Sequence, residues 1–111
     1  MFPSKKRFPR ALFQQAIKTG RRFSSPNLTA IVPSKEIISS GGCGYSVVVP
    51  KKVARLSIKR HQIRRRVLAA LRMSEAILPP ALIIFPRSSI SSVSYHDTED
   101  ELTNLISKIS H

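Results

Sequence analysis

Residues 45–73 have the sequence YSVVVPKKVARLSIKRHQIRRRVLAALRM, which contains clear signals for both a strand and a helix. Its first five residues are rich in β-branched side chains, which favour a strand. From position 58 onward, apolar residues recur on one face at helical spacing, namely Ile63, Val67, Ala70 and Leu71. The stretch therefore predicts a strand, a short basic loop and a long helix over residues 58–73 with one buried face.

Two further elements are predicted after this helix. Prolines at 79 and 80 end the helix within residues 74–80, because proline cannot continue the hydrogen-bond ladder. Residues 81–85 (ALIIF) form a short apolar run between prolines, which is typical of a buried central strand. Thr98 and Glu101 have the spacing of a capping box ahead of an amphipathic helix that ends near Ile109.

The residues before this stretch predict a helix followed by strands. Leu12, Phe13, Ala16 and Ile17 recur at helical spacing within residues 10–19, and Gly20 is placed to end that helix. Residues 27–32 (NLTAIV) predict a strand, and a third short strand is expected around residues 37–38. Residues 1–9 are expected to form a flexible basic arm.

The predicted order is α-β-β-β-α-β-α within a single domain of residues 1–111. It is typical of an α/β (α+β) sandwich, with one sheet of about four strands and three helices packed on it. A chain of 111 residues has enough material for one modest core.

The net charge points to a polyanionic partner. Nineteen Lys and Arg residues against six Asp and Glu residues give a formal charge of +13. Residues 51–72 contain nine basic residues and no acid, whereas four of the six acids lie within residues 97–101. We therefore expect a basic face that docks in one orientation on a nucleic acid or an anionic membrane.

Several classes of protein and site are disfavoured. Cys43 is the only cysteine, so neither an internal disulfide nor a Cys-x-x-Cys metal cluster can form. The longest uncharged stretch, residues 76–86, is interrupted by prolines and is too short for a membrane span. We expect a cytoplasmic protein with no secretion signal and no membrane partner.

The basic helix allows two interpretations. Arg60 and Arg64 lie four residues apart beside the apolar stripe, where like charges repel by roughly 0.2–0.5 kcal/mol. Their aliphatic stems could cover the edge of the core while the heads stay in water. Because no acid compensates the nine basic residues, contact with phosphate is the preferred interpretation.

This segment resembles a known family. Residues 49–55 (VPKKVAR) and 59–66 (KRHQIRRR) are similar to the Val-Ser-Lys-Lys-Val-Ala-Lys segment and the Arg-Asn-Arg helix motif of the bacterial ribonuclease P protein subunit. Residues 13–20 are similar to the first helix of that family, and residues 78–85 and 94–109 to its later elements. The chain departs from the family pattern at four kinds of position: His61 for asparagine, Gln62 for a basic residue, Pro50 for serine, and Ile17 and Ile31 for the aromatic side chains of many members.

The resemblance implies the fold and the function. The fold would be a mixed sheet like that of the second domain of ribosomal protein S5, with a left-handed β-α-β crossover. The protein would be the non-catalytic subunit of an endoribonuclease whose RNA subunit cleaves precursor tRNA with Mg²⁺, and it would bind no cofactor by itself. Its partners would be ribonuclease P RNA and precursor tRNA, and without them it would be a monomer.

The resemblance also implies the binding residues. The contacts to the catalytic RNA would be Lys51, Lys52, Arg55, Lys59, Arg60, His61, Arg64, Arg65 and Arg66. A cleft for the single-stranded 5′ leader would include Phe13, Ile17, Ile31 and Val47, although spacing alone favours a core position for Phe13. No catalytic residue and no metal ligand is predicted, and His61 is more typical of an RNA contact than of a general base.

Other functions remain open at this point. A ribosomal or other structural RNA-binding protein would share the size, the charge and the lack of catalytic groups. A helix-turn-helix DNA-binding protein would need another helix just before residue 58, where the chain is too short for one. A membrane-surface peptide and an independent nuclease fit the sequence less well.

Overall fold

The computed structural model describes residue 8 and residues 10–41, 44–73 and 81–109. Most of the predicted basic arm, Cys43 and the predicted helix end at residues 74–80 lie outside these residues. Along the chain the elements are α1 (Arg10–Thr19), β1 (Arg21–Ser24), β2 (Leu28–Val32), α2 (Lys35–Ser39), β3 (Gly44–Val47), α3 (Ser57–Met73), β4 (Ala81–Pro86), a 3-10 helix (Ser88–Ser92) and α4 (Tyr95–Ile109).

The four strands form one mixed sheet in the order β1-β2-β4-β3. β2 pairs antiparallel with both β1 and β4, whereas β3 pairs parallel with β4. Strand β3, helix α3 and strand β4 therefore form a parallel β-α-β unit. This topology confirms the predicted mixed sheet, and the left-handed crossover stays a prediction.

Helices lie on both faces of the sheet. Helices α3 and α4 pack on the face that contains Leu28, Ala30 and Ile84, and together they form the larger core. Helices α1 and α2 pack on the opposite face, against Ile31 and Ile83. Phe8, which the sequence prediction placed in the arm, is buried in this second core. Residues of β2 and β4 belong alternately to the two cores, because successive side chains of a strand point to opposite faces of the sheet.

The long basic helix has the predicted buried stripe. Ile63 is 5% exposed, and Val67, Ala70 and Leu71 are fully buried. The bounds of α3, Ser57–Met73, agree with the predicted residues 58–73, and α1 ends at Thr19 as predicted.

Two predicted features of the first half of the chain were wrong. Residues 37–38 belong to helix α2, because the Ser34 side chain caps the backbone N–H of Ile37. The additional strand is β1, whose sequence, RRFS, has no β-branched residue. It forms because all four of its residues pair with β2, a tertiary interaction that local propensity does not reveal.

The predicted capping box at Thr98 and Glu101 was also wrong. Helix α4 begins at Tyr95, where the hydroxyl of Ser94 accepts from the backbone N–H of Asp97 at 3.1 Å. Thr98 is fully buried inside the helix and donates to the Ser94 carbonyl at 2.9 Å. Ser94 is therefore the residue that caps α4.

Glu101 instead joins α4 to the turn between β1 and β2. Its carboxylate accepts a hydrogen bond from the Ser25 hydroxyl and two from Asn27, from the backbone N–H and the side-chain amide, both at 2.7 Å. Burial acts to raise the pKa of this carboxyl. The hydrogen bonds together outweigh burial, so the pKa lies below its usual value of 4.5.

Replacing Glu101 with glutamine is expected to lower the free energy of unfolding by about 2 kcal/mol, because three hydrogen bonds to a carboxylate are removed or weakened. A lowered pKa means that the carboxylate is favoured in the folded state. Its contribution is therefore complete above pH 4.5 and is lost as the pH falls through the lower pKa of the folded protein. Urea unfolding of both proteins at pH 7 and at pH 3 measures this difference.

Asp100→Asn is the matched control for this prediction. Asp100 is an exposed neighbour on α4 that pairs with His96, at 3.5 Å. We expect it to change the free energy of unfolding by less than about 0.5 kcal/mol. A Glu101→Gln effect that is the same at pH 3 and pH 7 would contradict the proposed role of the charge.

Candidate nucleic-acid interface

The loop between β3 and α3 presents its basic side chains outward. The carbonyl of Pro50 accepts from the backbone N–H groups of Val53 and Ala54, at 3.0 and 3.4 Å, which closes a turn. Val53 and Ala54 pack against the larger core, whereas the lysines at 51 and 52 are exposed. The turn thus anchors the loop by its apolar residues and leaves its charges in solvent.

The predicted RNA contacts separate into two groups. Six of the nine are exposed: Lys51, Lys52, Arg55, Lys59, His61 and Arg65. The other three, Arg60, Arg64 and Arg66, are partly buried. We call the five exposed cations, Lys51, Lys52, Arg55, Lys59 and Arg65, the basic surface.

Arg60 supports the start of α3. Its Nη1 donates to the carbonyls of Ala54 and Arg55 at 3.1 and 2.8 Å. These bonds hold the end of the loop against the first turn of the helix. The guanidinium therefore orients the loop, and only its remaining donors are available to another molecule.

Arg66 and Arg64 also contact other parts of the protein. Arg66 Nη1 donates to the Val93 carbonyl at 3.0 Å, which ties α3 to the segment before α4. Arg64 Nη1 lies 3.5 Å from Nδ1 of His61 on the same helix. Arg66 is thus placed to stabilise the packing of α3, whereas Arg64 and His61 face the solvent side together.

The basic surface has no acidic partner in the described part of the chain. The only ion pair found there joins His96 to Asp100 on α4. Five cations held on one loop and one helix without neutralising carboxylates produce a positive potential that attracts phosphate.

A groove of about 520 Å³ lies beside this surface, on the sheet face that α1 covers. Its walls combine apolar residues with three cations, and the lining residues are Ile17, Arg22, Thr29, Pro50, Lys52, Val53, Phe85, Pro86, Arg87 and Ser88. The Phe85 ring lies 6.4 Å from the ring of Phe13, at an angle of 56°. Lys52 belongs to both the groove and the basic surface, so the two are continuous.

The structure brings only part of the predicted leader cleft to this groove. Ile17 lines it, and Phe13 contacts it through Phe85. Ile31 is on the correct face but only 1% exposed, beneath α1 in the core. Val47 is 6% exposed and packs on the opposite face with α3 and α4, so the structure does not bring it to this groove.

Sequence reasoning missed eight of the ten residues that line the groove, among them the aromatic Phe85 and the cations Arg22 and Arg87. Phe85 follows Ile83 at the two-residue spacing of a strand, which would have placed it on the α1 face. Arg22 is paired with Ile31 across β1 and β2, so it shares that face, but no strand was predicted at residues 21–24. Arg87 follows β4 directly, and its Nε donates to the Thr29 hydroxyl at 3.4 Å.

The described ranges contain neither a cluster of metal-ligating side chains nor a helix that could span a membrane. No group of three or more His, Cys, Asp or Glu side chains is placed to hold a metal ion. None of the helices in those ranges has both the length and the apolar character needed to cross a bilayer.

The comparison with protein families decides the assignment. The family model described as Ribonuclease P matches residues 2–110, almost the whole chain. The chain belongs to the ribonuclease P protein family. It is therefore a protein subunit of a tRNA-processing endoribonuclease in which RNA performs the catalysis, and its partner is RNA. No curated protein sequence matches the chain.

Solved structures of ribonuclease P proteins have the same fold. The Staphylococcus aureus protein is 18% identical, with a TM-score of 0.73 and 91% of each chain covered. The Thermotoga maritima protein is 19% identical, with a TM-score of 0.74, and the match covers 94% of this chain and 97% of that one. A second Thermotoga maritima structure, in complex with 1-(4-fluorophenyl)-2-thiourea, is 20% identical with a TM-score of 0.69 and covers 87% of this chain and 92% of that one.

Proposed function

We propose that this protein binds ribonuclease P RNA through the basic surface and binds the 5′ leader of precursor tRNA in the groove beside α1. The observation that carries the proposal is the continuity of the two sites at Lys52. Cations without acidic partners neutralise the phosphates of a structured RNA. A groove of this size, lined by apolar residues and cations, accepts unpaired nucleotides, whose bases can pack on Phe85 and Ile17.

The protein has a positioning role in this proposal. Holding the leader and the catalytic RNA at adjacent sites fixes the scissile phosphate relative to the RNA. In this proposal Mg²⁺ is bound by the RNA, which performs the catalysis in this family. We propose that the protein acts in the cytoplasm and as a monomer apart from its RNA partners.

Cleavage of precursor tRNA at low Mg²⁺ tests this function. We expect the cognate ribonuclease P RNA to cleave faster with the protein than without it, and the protein alone to be inactive. Each bound cation replaces part of the charge neutralisation that Mg²⁺ would supply, so stimulation should decrease as Mg²⁺ is raised. Tight RNA binding without stimulation would instead indicate a structural RNA-binding protein.

The groove is tested by Arg22→Ala combined with Arg87→Ala. We expect affinity for precursor tRNA to fall about tenfold, equivalent to about 1.4 kcal/mol, with affinity for leaderless tRNA unchanged. Arg21→Ala is the matched control, because this neighbouring arginine is exposed but lies over the Phe23 ring at 5.2 Å, outside the groove. An equal loss for both tRNAs would contradict leader binding in the groove.

A further inference from the structure

Two large aliphatic side chains are exposed at the start of α3. Leu56 is 63% exposed and Ile58 is 62% exposed. A single exposed aliphatic residue is ordinary, but here two are separated by one serine. They are surrounded by the basic surface, which contains Arg55 and Lys59 on either side of them. Charge alone does not explain these two residues.

Ile58 begins a stripe along the outward face of α3. His61, Gln62 and Arg65 follow it at positions i+3, i+4 and i+7, and all four side chains are exposed. The imidazole and the amide can each donate and accept hydrogen bonds, unlike the cations around them. This stripe therefore has the chemistry to contact bases and sugars as well as phosphate.

The turn that presents Leu56 is held in place. Arg60 Nη1 donates to the carbonyls of Ala54 and Arg55, and the backbone N–H of Arg60 donates to the Leu56 carbonyl at 3.1 Å. The backbone on both sides of Leu56 is thus ordered by hydrogen bonds. Less conformational entropy is lost when such a preorganised group binds another molecule.

The surroundings identify the kind of partner. A second copy of this chain would bring the same positive surface into contact, which is unfavourable. A membrane-surface helix buries a continuous apolar face, but the apolar face of α3 is already buried in the core. RNA supplies both the negative charge and an apolar surface, because the faces of its bases become accessible where nucleotides are unpaired.

We propose that Leu56 and Ile58, with His61 and Gln62, form a contact site for an unpaired nucleotide of the RNA that binds the basic surface. The inference rests on the proposed function and adds a specificity to it. The aliphatic pair covers a base or ribose face, and the imidazole and amide contact its edge. The cations around the pair bind the flanking phosphates.

Leu56→Ala combined with Ile58→Ala tests the site. Both side chains are more than 60% exposed, and alanine is a better helix former than isoleucine at position 58 in α3, so folding should be retained. The probes are a short RNA hairpin with an unpaired loop and a fully paired duplex of the same length. We expect about a tenfold loss of affinity for the hairpin and no change for the duplex.

The salt dependence separates this site from the phosphate contacts. Removal of an apolar contact should lower hairpin affinity by the same factor at every salt concentration, with an unchanged slope of log affinity against log salt. Met73→Ala is the matched control, since Met73 is 70% exposed on the same helix but about 22 Å from Ile58 along its axis. It should leave both affinities unchanged.

Three outcomes would overturn the proposal. They are an unchanged hairpin affinity, an equal loss for the hairpin and the duplex, and the same loss with Met73→Ala. Binding of the unsubstituted protein to anionic phosphatidylglycerol vesicles that the double variant abolishes, with RNA binding intact, would assign the pair to a membrane. Failure of the unsubstituted protein to bind either RNA would contradict the proposed function itself, independently of the aliphatic pair.

Discussion

Gly20→Ala is expected to lower the free energy of unfolding by about 3 kcal/mol, at the upper end of what overpacking a well-packed site costs. A Cβ atom at this position would lie 2.5 Å from the Ala16 carbonyl oxygen, 2.7 Å from Ile31 Cγ2 and 2.8 Å from the Val32 carbonyl oxygen. Two of these three close approaches are to backbone atoms, which cannot rotate away. Accommodating the methyl group therefore requires α1 to move away from β2.

Urea unfolding of the Gly20→Ala variant measures this effect. Thr19→Ala is the matched control, because Thr19 is the exposed neighbour and its substitution removes only a hydrogen bond to the Gln15 carbonyl, at 2.8 Å. It should change the free energy of unfolding by less than about 1 kcal/mol. Equal stabilities for Gly20→Ala and the unsubstituted protein would mean that the end of α1 is not packed on β2 as described.

The close packing at Gly20 also bears on the function. Ile17, one turn before Gly20, is the residue through which α1 lines the groove. A shift of α1 away from β2 would widen that groove. We therefore expect the Gly20→Ala substitution, in protein that still folds, to reduce affinity for the 5′ leader more than affinity for ribonuclease P RNA.

The helices were predictable from the sequence where one face is apolar over several turns. The stripe from Ile63 to Leu71 determines both the bounds of α3 and its buried side. The two cations of the basic surface that lie on α3, Lys59 and Arg65, followed from the same pattern, because they occupy positions that this stripe leaves outside. The burial of Arg66 at the Val93 carbonyl did not follow, since it depends on where the segment before α4 packs.

The strands were less predictable because their side-chain direction depends on the register. Residues 45–49 (YSVVV) contain consecutive apolar residues, so the sequence does not say which of them face α1. Pairing of β3 with β4 puts Val47 opposite Ile84, and therefore on the α3 side. Val48, the next residue, packs with the α1 core instead. A difference of one position thus decides which of these valines lies on the face of the groove.

The connection between α4 and the sheet could not be predicted from local sequence. Thr98 and Glu101 have the spacing of a capping box, but Glu101 bonds to Asn27, which is 74 residues away along the chain. The local pattern predicted that the Glu101 carboxylate caps its own helix. It bonds instead to the turn between β1 and β2, because that turn offers three donors.

Lys59→Ala combined with Arg65→Ala is expected to weaken binding to ribonuclease P RNA about 100-fold at moderate salt. Both side chains are exposed, with no acidic partner in the described part of the chain, so their removal costs the fold little. Removing one cation from a bound phosphate corresponds to about a tenfold change in affinity, or about 1.4 kcal/mol. The slope of log affinity against log salt should become shallower by about 2.

The matched control removes two other basic side chains, Lys35 on α2 and Lys108 on α4, both exposed. Lys35→Ala combined with Lys108→Ala changes the net charge by the same amount but leaves the basic surface intact. If RNA were attracted by net charge alone, the two double variants would lose affinity equally. If the loss of affinity and the shallower slope occur only when Lys59 and Arg65 are replaced, the RNA binds at α3. Each of these two side chains then neutralises a phosphate of the bound RNA and releases its counterion, whereas Lys35 and Lys108 do not.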